Sequence, residues 1–125
     1  MGDRIPPALA ERLGSRFPSE IRRARLHRGR LARILTSLAG ADAIVFGRRV
    51  FLTVDAERTI AAGSAIELLA HELTHVRQYR RYGMAAFLGR YLGEYLRARL
   101  TGAPHVEAYR RISFEREAES ASGQG

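Results

Sequence analysis

Between residues 66 and 76, apolar side chains return at helical spacing. Ile66, Leu69, Ala70, Leu73 and Val76 fall on one stripe, which predicts an amphipathic helix with one buried face. Ser64-Ala65-Ile66-Glu67 is a capping box that opens this helix, and Gly83 is placed to close it. Upstream the pattern changes: Ile44, Val45, Phe46 and then Val50, Phe51, Leu52, Thr53 and Val54 are β-branched, aromatic or apolar and flank Gly47-Arg48. A glycine-first, two-residue turn between such runs predicts a β-hairpin of the II′ kind over 43–54. Its second strand, 50–54, is expected at the outside, where its backbone can pair with an extended peptide. Residues 55–63 read as a linker.

Downstream, 84–101 predicts a helix in which Phe87, Leu88, Tyr91, Leu92, Tyr95, Leu96 and Leu100 make a broad apolar face. Gly89 and Gly93 are expected to allow close packing against the motif helix, and Gly102, Ala103 and Pro104 stop the segment. Residues 107–121 predict a last helix with a break near Ser113, and 120–125 a flexible polar tail. At the other end, Pro6, Pro7, Gly14 and Pro18 mark 1–18 as an N-terminal arm with a short amphipathic stretch around 8–13. The stretch 21–27 is compatible with a helix or a short strand. Beyond Gly29, Leu31, Ile34, Leu35 and Leu38 predict another amphipathic helix.

Composition bounds this picture. A chain of 125 residues, 46% of them hydrophobic, is expected to form one domain over 1–125 with a modest core. The absence of cysteine excludes disulfides and thiolate metal sites, so any metal must be held by His and carboxylate. No apolar run approaches the roughly 20 residues of a membrane span, and no signal peptide is visible. The expectation is therefore a cytoplasmic protein without membrane insertion, with signal-independent export left open. The net charge is +8 and all 21 basic residues are arginine. Arginine suits phosphate contacts, and Arg22, Arg23, Arg25, Arg28, Arg30 and Arg33 are the densest basic segment. A solvated face is the favoured reading of that segment, and nucleic-acid binding the least favoured function.

The candidate chemistry lies in His71-Glu72-Leu73-Thr74-His75. On a helix, two imidazoles at a spacing of four share one face and can bind one Zn²⁺, with Glu72 beside them as general base towards a zinc-bound water. This points to a zinc-dependent peptidase acting on a peptide or protein substrate. A catalytic zinc needs a third protein ligand, for which Glu115, Glu117, Glu119 and His105 are the candidates. Glu115 is the first choice, because Glu115 and Glu119 share a helical face, allowing the first to ligate and the second to hold a ligating histidine through its free ring nitrogen. Tyr109, His105 and Arg110 are the groups available to stabilise an oxyanion, with Tyr109 and His105 preferred.

Two resemblances follow from these residues. Phe114-Glu115-Arg116-Glu117-Ala118-Glu119 is similar to the F-E-x-x-A-D segment of gluzincin metallopeptidases, with Glu119 where that family has aspartate. It implies Glu115 as third zinc ligand. Residues 22–83, including Gly40-Ala41-Asp42-Ala43-Ile44-Val45-Phe46-Gly47 and 68–78 around the motif, resemble the small zincin-like domain of bacteria that accompanies extracellular contractile injection systems and toxin-type proteins. Tyr109-Arg110-Arg111-Ile112-Ser113-Phe114-Glu115 fits short members of that group. The resemblance implies an α+β, mainly helical, minimal gluzincin domain with a strand at 23–27 in a short antiparallel sheet beside the motif helix, and a secretion-system or toxin-type partner. The competing reading is a catalytically idle zinc-binding module that docks or regulates.

Overall fold

The apolar stripe of the motif helix is buried as predicted. In a computed structural model, which describes residues 2–27, 29–39, 43–61 and 66–122, Leu69, Ala70 and Leu73 are fully enclosed and Val76 nearly so. They lie on α5 (Ile66–Tyr82), the element around which the others pack. In chain order it is preceded by α1 (Pro7–Leu13), α2 (Pro18–Arg23), β1 (Arg25–His27), α3 (Arg30–Ala39), β2 (Ala43–Phe46), β3 (Arg49–Leu52) and α4 (Val54–Ala61). It is followed by α6 (Met84–Leu100), α7 (His105–Arg111) and α8 (Ser113–Ser122). The architecture is α+β, mainly helical with one small sheet, and no described helix is long and apolar enough to cross a membrane.

Local chemistry explains the boundaries. Proline stands in the first turn of α1 and α2, where its fixed φ suits a helix and its missing N–H is not needed. Gly83 ends α5 at φ +85, a left-handed position that glycine adopts without steric cost, and its N–H donates to the Tyr79 carbonyl at 2.8 Å. The chain then turns directly into α6. The predicted capping serine, Ser64, lies outside the described residues.

The N-terminal arm is part of the core. Ile5, Leu9, Leu13 and Phe17 are buried with the stripe of α5, and Asp3 exchanges backbone hydrogen bonds with Leu26, covering the outer edge of β1. The ambiguous stretch 21–27 resolves into both alternatives, a helix to Arg23 and a strand from Arg25.

The sheet corrects two expectations. Its order is β1-β3-β2, with β2 and β3 antiparallel and joined by the Gly47-Arg48 turn, in which Gly47 takes φ +68. However, β1 pairs with β3 in parallel, so the sheet is mixed and not antiparallel throughout. The reason is connectivity: α3 carries the chain across after β1, and β2 then reverses it before β3. β3 is therefore the central strand, paired on both sides, with Val50 fully buried. The strand expected at the outside cannot receive a peptide, and the edge belongs to β2.

Three further differences are local. The expected linker after the hairpin forms α4, capped by Thr53 Oγ1, which accepts from the Ala56 N–H at 3.1 Å, and anchored by Ala56 and Ile60. Two apolar contacts at a spacing of four are enough for a short helix with a core to lean on. The broad apolar face of α6 is only partly used: Phe87 is buried, but Leu92, Leu96 and Leu100 are 55%, 56% and 86% exposed. Gly89 and Gly93 face open space instead of α5, because α6 meets its neighbours along a narrower strip led by Phe87, Tyr91 and Tyr95. Finally, the break near Ser113 is present, but 120–122 continue α8; residues 123–125 lie outside the described residues. At the break, the Ser113 N–H and hydroxyl donate to the Glu94 carboxylate at 2.6 and 3.0 Å.

These positions separate core from surface. Leu69→Ala is expected to destabilise the domain by about 2–5 kcal/mol, while Leu96→Ala changes stability by less than about 0.5 kcal/mol. Urea denaturation of the two variants checks both.

Candidate metal centre

α8 lies along α5, and this packing brings the sequence-predicted ligands together. The Nε2 atoms of His71 and His75 each lie 3.1 Å from the same oxygen of Glu115, Oε1. The three donor atoms are within 4.8 Å of one another, and His75 and Glu115 are buried. Donors bound tetrahedrally at the usual zinc distances stand about 3.3 Å apart. The spacing and the donor set are thus close enough to hold a metal ion.

The ring nitrogens face the right way for a structural reason. Gln78, one turn after His75 and buried, donates from Nε2 to the Phe114 carbonyl at 3.1 Å and to Glu117 Oε1 at 2.6 Å. Both partners are acceptors, so the amide oxygen must face His75, and it accepts from Nδ1–H at 2.8 Å. The proton is thereby held on Nδ1, and in the neutral ring Nε2 keeps its lone pair for a metal. His71 has a longer contact of the same kind, 3.5 Å from Nδ1 to Glu119 Oε2. That distance is within ion-pair range, and the Glu119 carboxylate is largely exposed.

Electrostatics follow from the crowding. Burial pushes the Glu115 carboxyl up, but contacts with His71 and His75, the charge of His75 and the Tyr91 hydroxyl together hold it well below the carboxylate range. His75 is opposed by its burial, yet the Glu115 carboxylate, with help from Glu72 and Gln78, raises its pKa. Tyr91 donates a short hydrogen bond to Glu115 Oε2. Burial first, then the charge of Glu115, holds both Tyr91 and Tyr109 far above an ordinary phenol, so both hydroxyls remain protonated donors.

Glu72 is buried and lines a cavity of about 300 Å³ together with His75, Glu115, Tyr91 and Tyr109. Its opposite wall comes from β2 and from the first half of α6. His105 is placed apart: it is exposed at the start of α7, its Nδ1 lies 2.8 Å from the Tyr95 hydroxyl, and it does not line this cavity. Arg110 is likewise exposed. Arg22, Arg23, Arg30 and Arg33 are spread over α2 and α3 and turned to solvent. Two participants were not anticipated, Gln78 and Tyr91. Gln78 carried a signal, its spacing of three from His75, whereas Tyr91 comes from the next helix and reads in sequence as one more apolar position.

A small α+β domain with two histidines of one helix and a glutamate of another converging on one point is, as a class, a domain with a side-chain triad close enough to hold a metal ion. Residues 4–83 match the family model of the eCIS core domain, and the chain belongs to that family. The match runs from the N-terminal arm through α5, so it includes His71, Glu72 and His75 and ends before Tyr91, Tyr109 and Glu115. No curated protein and no solved structure matches the chain.

If Gln78 sets the His75 tautomer, Gln78→Leu is expected to lower the affinity of the triad for an added divalent metal ion about 10- to 100-fold. Competition with a chromophoric chelator measures this, and circular dichroism checks that the helices persist.

Proposed function

We propose that this protein is a zinc-dependent peptidase of zincin-like, minimal gluzincin build, with His71, His75 and Glu115 as the metal ligands. The observation that carries this reading is that His71, His75 and Glu115 converge within 4.8 Å of one another and that two of them, His75 and Glu115, line one cavity together with Glu72. When bound, zinc supplies Lewis acidity that polarises a carbonyl and lowers the pKa of a water. Glu72 is placed to take the proton of the attacking water onto its carboxylate and to pass it to the leaving amine. The low dielectric around this buried group strengthens each of these interactions.

Tyr109 lines the cavity with a hydroxyl held protonated, and both Tyr109 and Tyr91 hydrogen-bond to the Glu115 carboxylate. In this reading Tyr91 stays as a clamp on that carboxylate while Tyr109 turns its hydroxyl to the developing oxyanion. His105, bonded to Tyr95, takes no part in this reading. The substrate backbone lies along β2, the edge strand that lines the cavity; in the hairpin register, Ala43 and Val45 turn their backbone groups away from β3. One of these outward groups, the Val45 carbonyl, already accepts from the Tyr79 hydroxyl at 3.1 Å, which fixes the height of that edge over the site and leaves the others for the substrate. Family membership supports a place beside an extracellular contractile injection system, where the protein would act on a polypeptide of that system or of its target.

Zinc-loaded wild type is expected to cleave a mixed peptide library. Glu72→Gln should retain one zinc per chain while losing about 10²- to 10⁴-fold in rate, and Glu115→Ala should lose the metal. Elemental analysis and mass spectrometry of the digests report these outcomes; full zinc occupancy without any cleavage would instead identify an idle zinc-binding module.

A further inference from the structure

The cavity beside the triad has two unlike walls. One is the chemical wall of Glu72, His75 and Glu115; the other is built from Ile44, Phe46, Phe87, Leu88 and Leu92. The floor under the apolar wall is rigid, because the buried Phe87 ring stacks on Tyr79 at 3.8 Å, on Phe114 at 4.7 Å and on Tyr91 at 5.5 Å. The rim is different in kind. Phe46 and Leu92 stand about half exposed at the mouth, leaving apolar surface in water on either side of a preformed hollow.

Charge makes the same selection. The chain carries 21 arginines, yet among the described residues none lines this cavity. An acidic side chain seated against the apolar wall would lose its water with no arginine among the described lining residues to replace it. A basic one would lose its water against an apolar wall. The volume, about 300 Å³, is at the small end of the roughly 300–1,000 Å³ of ligand sites and suits one or two side chains.

Resting on the peptidase reading of this site, we propose that its substrate is an extended polypeptide segment presenting one bulky uncharged apolar side chain, of leucine or phenylalanine size, next to the bond at the triad. Phe46, Leu88 and Leu92 are the specificity-determining residues. The segment pairs by its backbone with β2 and seats that side chain against Phe87.

The test uses end-blocked Ser-Gly-Ala-Xaa-Ala-Gly-Ser peptides, with Xaa as Phe, Leu, Ala, Asp or Arg and a fluorescent label, against the zinc-loaded full chain. Binding is read by fluorescence anisotropy on Glu72→Gln and cleavage on wild type. The Phe and Leu peptides are expected to bind at least about tenfold more tightly than the Ala, Asp and Arg peptides. Leu92→Asp, a change at an exposed position, should abolish that preference while keeping full zinc content. Equal binding of all five peptides, a preference for a charged one, no binding at all, or a preference that survives Leu92→Asp overturns the proposal. Selective binding without cleavage by wild type upholds the apolar pocket and removes the peptidase reading, whereas cleavage without side-chain preference does the reverse.

Discussion

The carboxylate of Glu115, buried between two histidines of another helix, is the constraint to which the rest of the structure answers. A charge in that position costs several kcal/mol unless it is paired and hydrogen-bonded. His71, His75 and Tyr91 supply those partners. Each partner must then be held at the right height, which requires α5, α6 and α8 to pack in one register. Gln78 is the pin: from one buried amide it touches His75 on its own helix and Phe114 and Glu117 on α8. The triad is therefore part of the core packing and not an addition to its surface.

The N-terminal arm extends this logic to the far side of α5. Arg77 lies 3.1 Å from the buried Glu20, donates to the Arg16 carbonyl, and stacks over Phe17 at 4.6 Å. Arg16 in turn donates to the carbonyl of Ala121 at 2.6 Å, in the last turn of α8. The arm thus clasps the motif helix and the end of α8 together. Most guanidinium groups of the described residues are solvated, but some, these two among them, serve the packing, which is why a basic composition does not by itself mark a nucleic-acid surface.

How much of this was legible beforehand depended on range. The helix of the motif, its buried stripe, the hairpin with its glycine turn and the break at Ser113 all follow from residues within one or two turns of each other. The parallel pairing of β1, the central place of β3 and the half-used face of α6 do not, because each depends on which segment arrives from elsewhere. Leu92 and Leu96 have the same pattern value as Phe87, but only Phe87 meets the aromatic floor. The helical character of α4 was hidden for the opposite reason: two core contacts override a weak local signal.

Among the candidate residues, the division is the same. The spacing of His71, Glu72 and His75 on one helix was determined by the sequence alone, since a period of 3.6 residues sets which side chains share a face. The choice of Glu115 over His105 as the nearest partner of both imidazoles was decided only by tertiary structure. So were the entry of Tyr91 from α6 and the transfer of the exposed edge from β3 to β2. Local spacing can bring donors onto one face of a helix; only the packing of a second and third helix against that face decides which distant carboxylate and hydroxyl meet them, and whether water does.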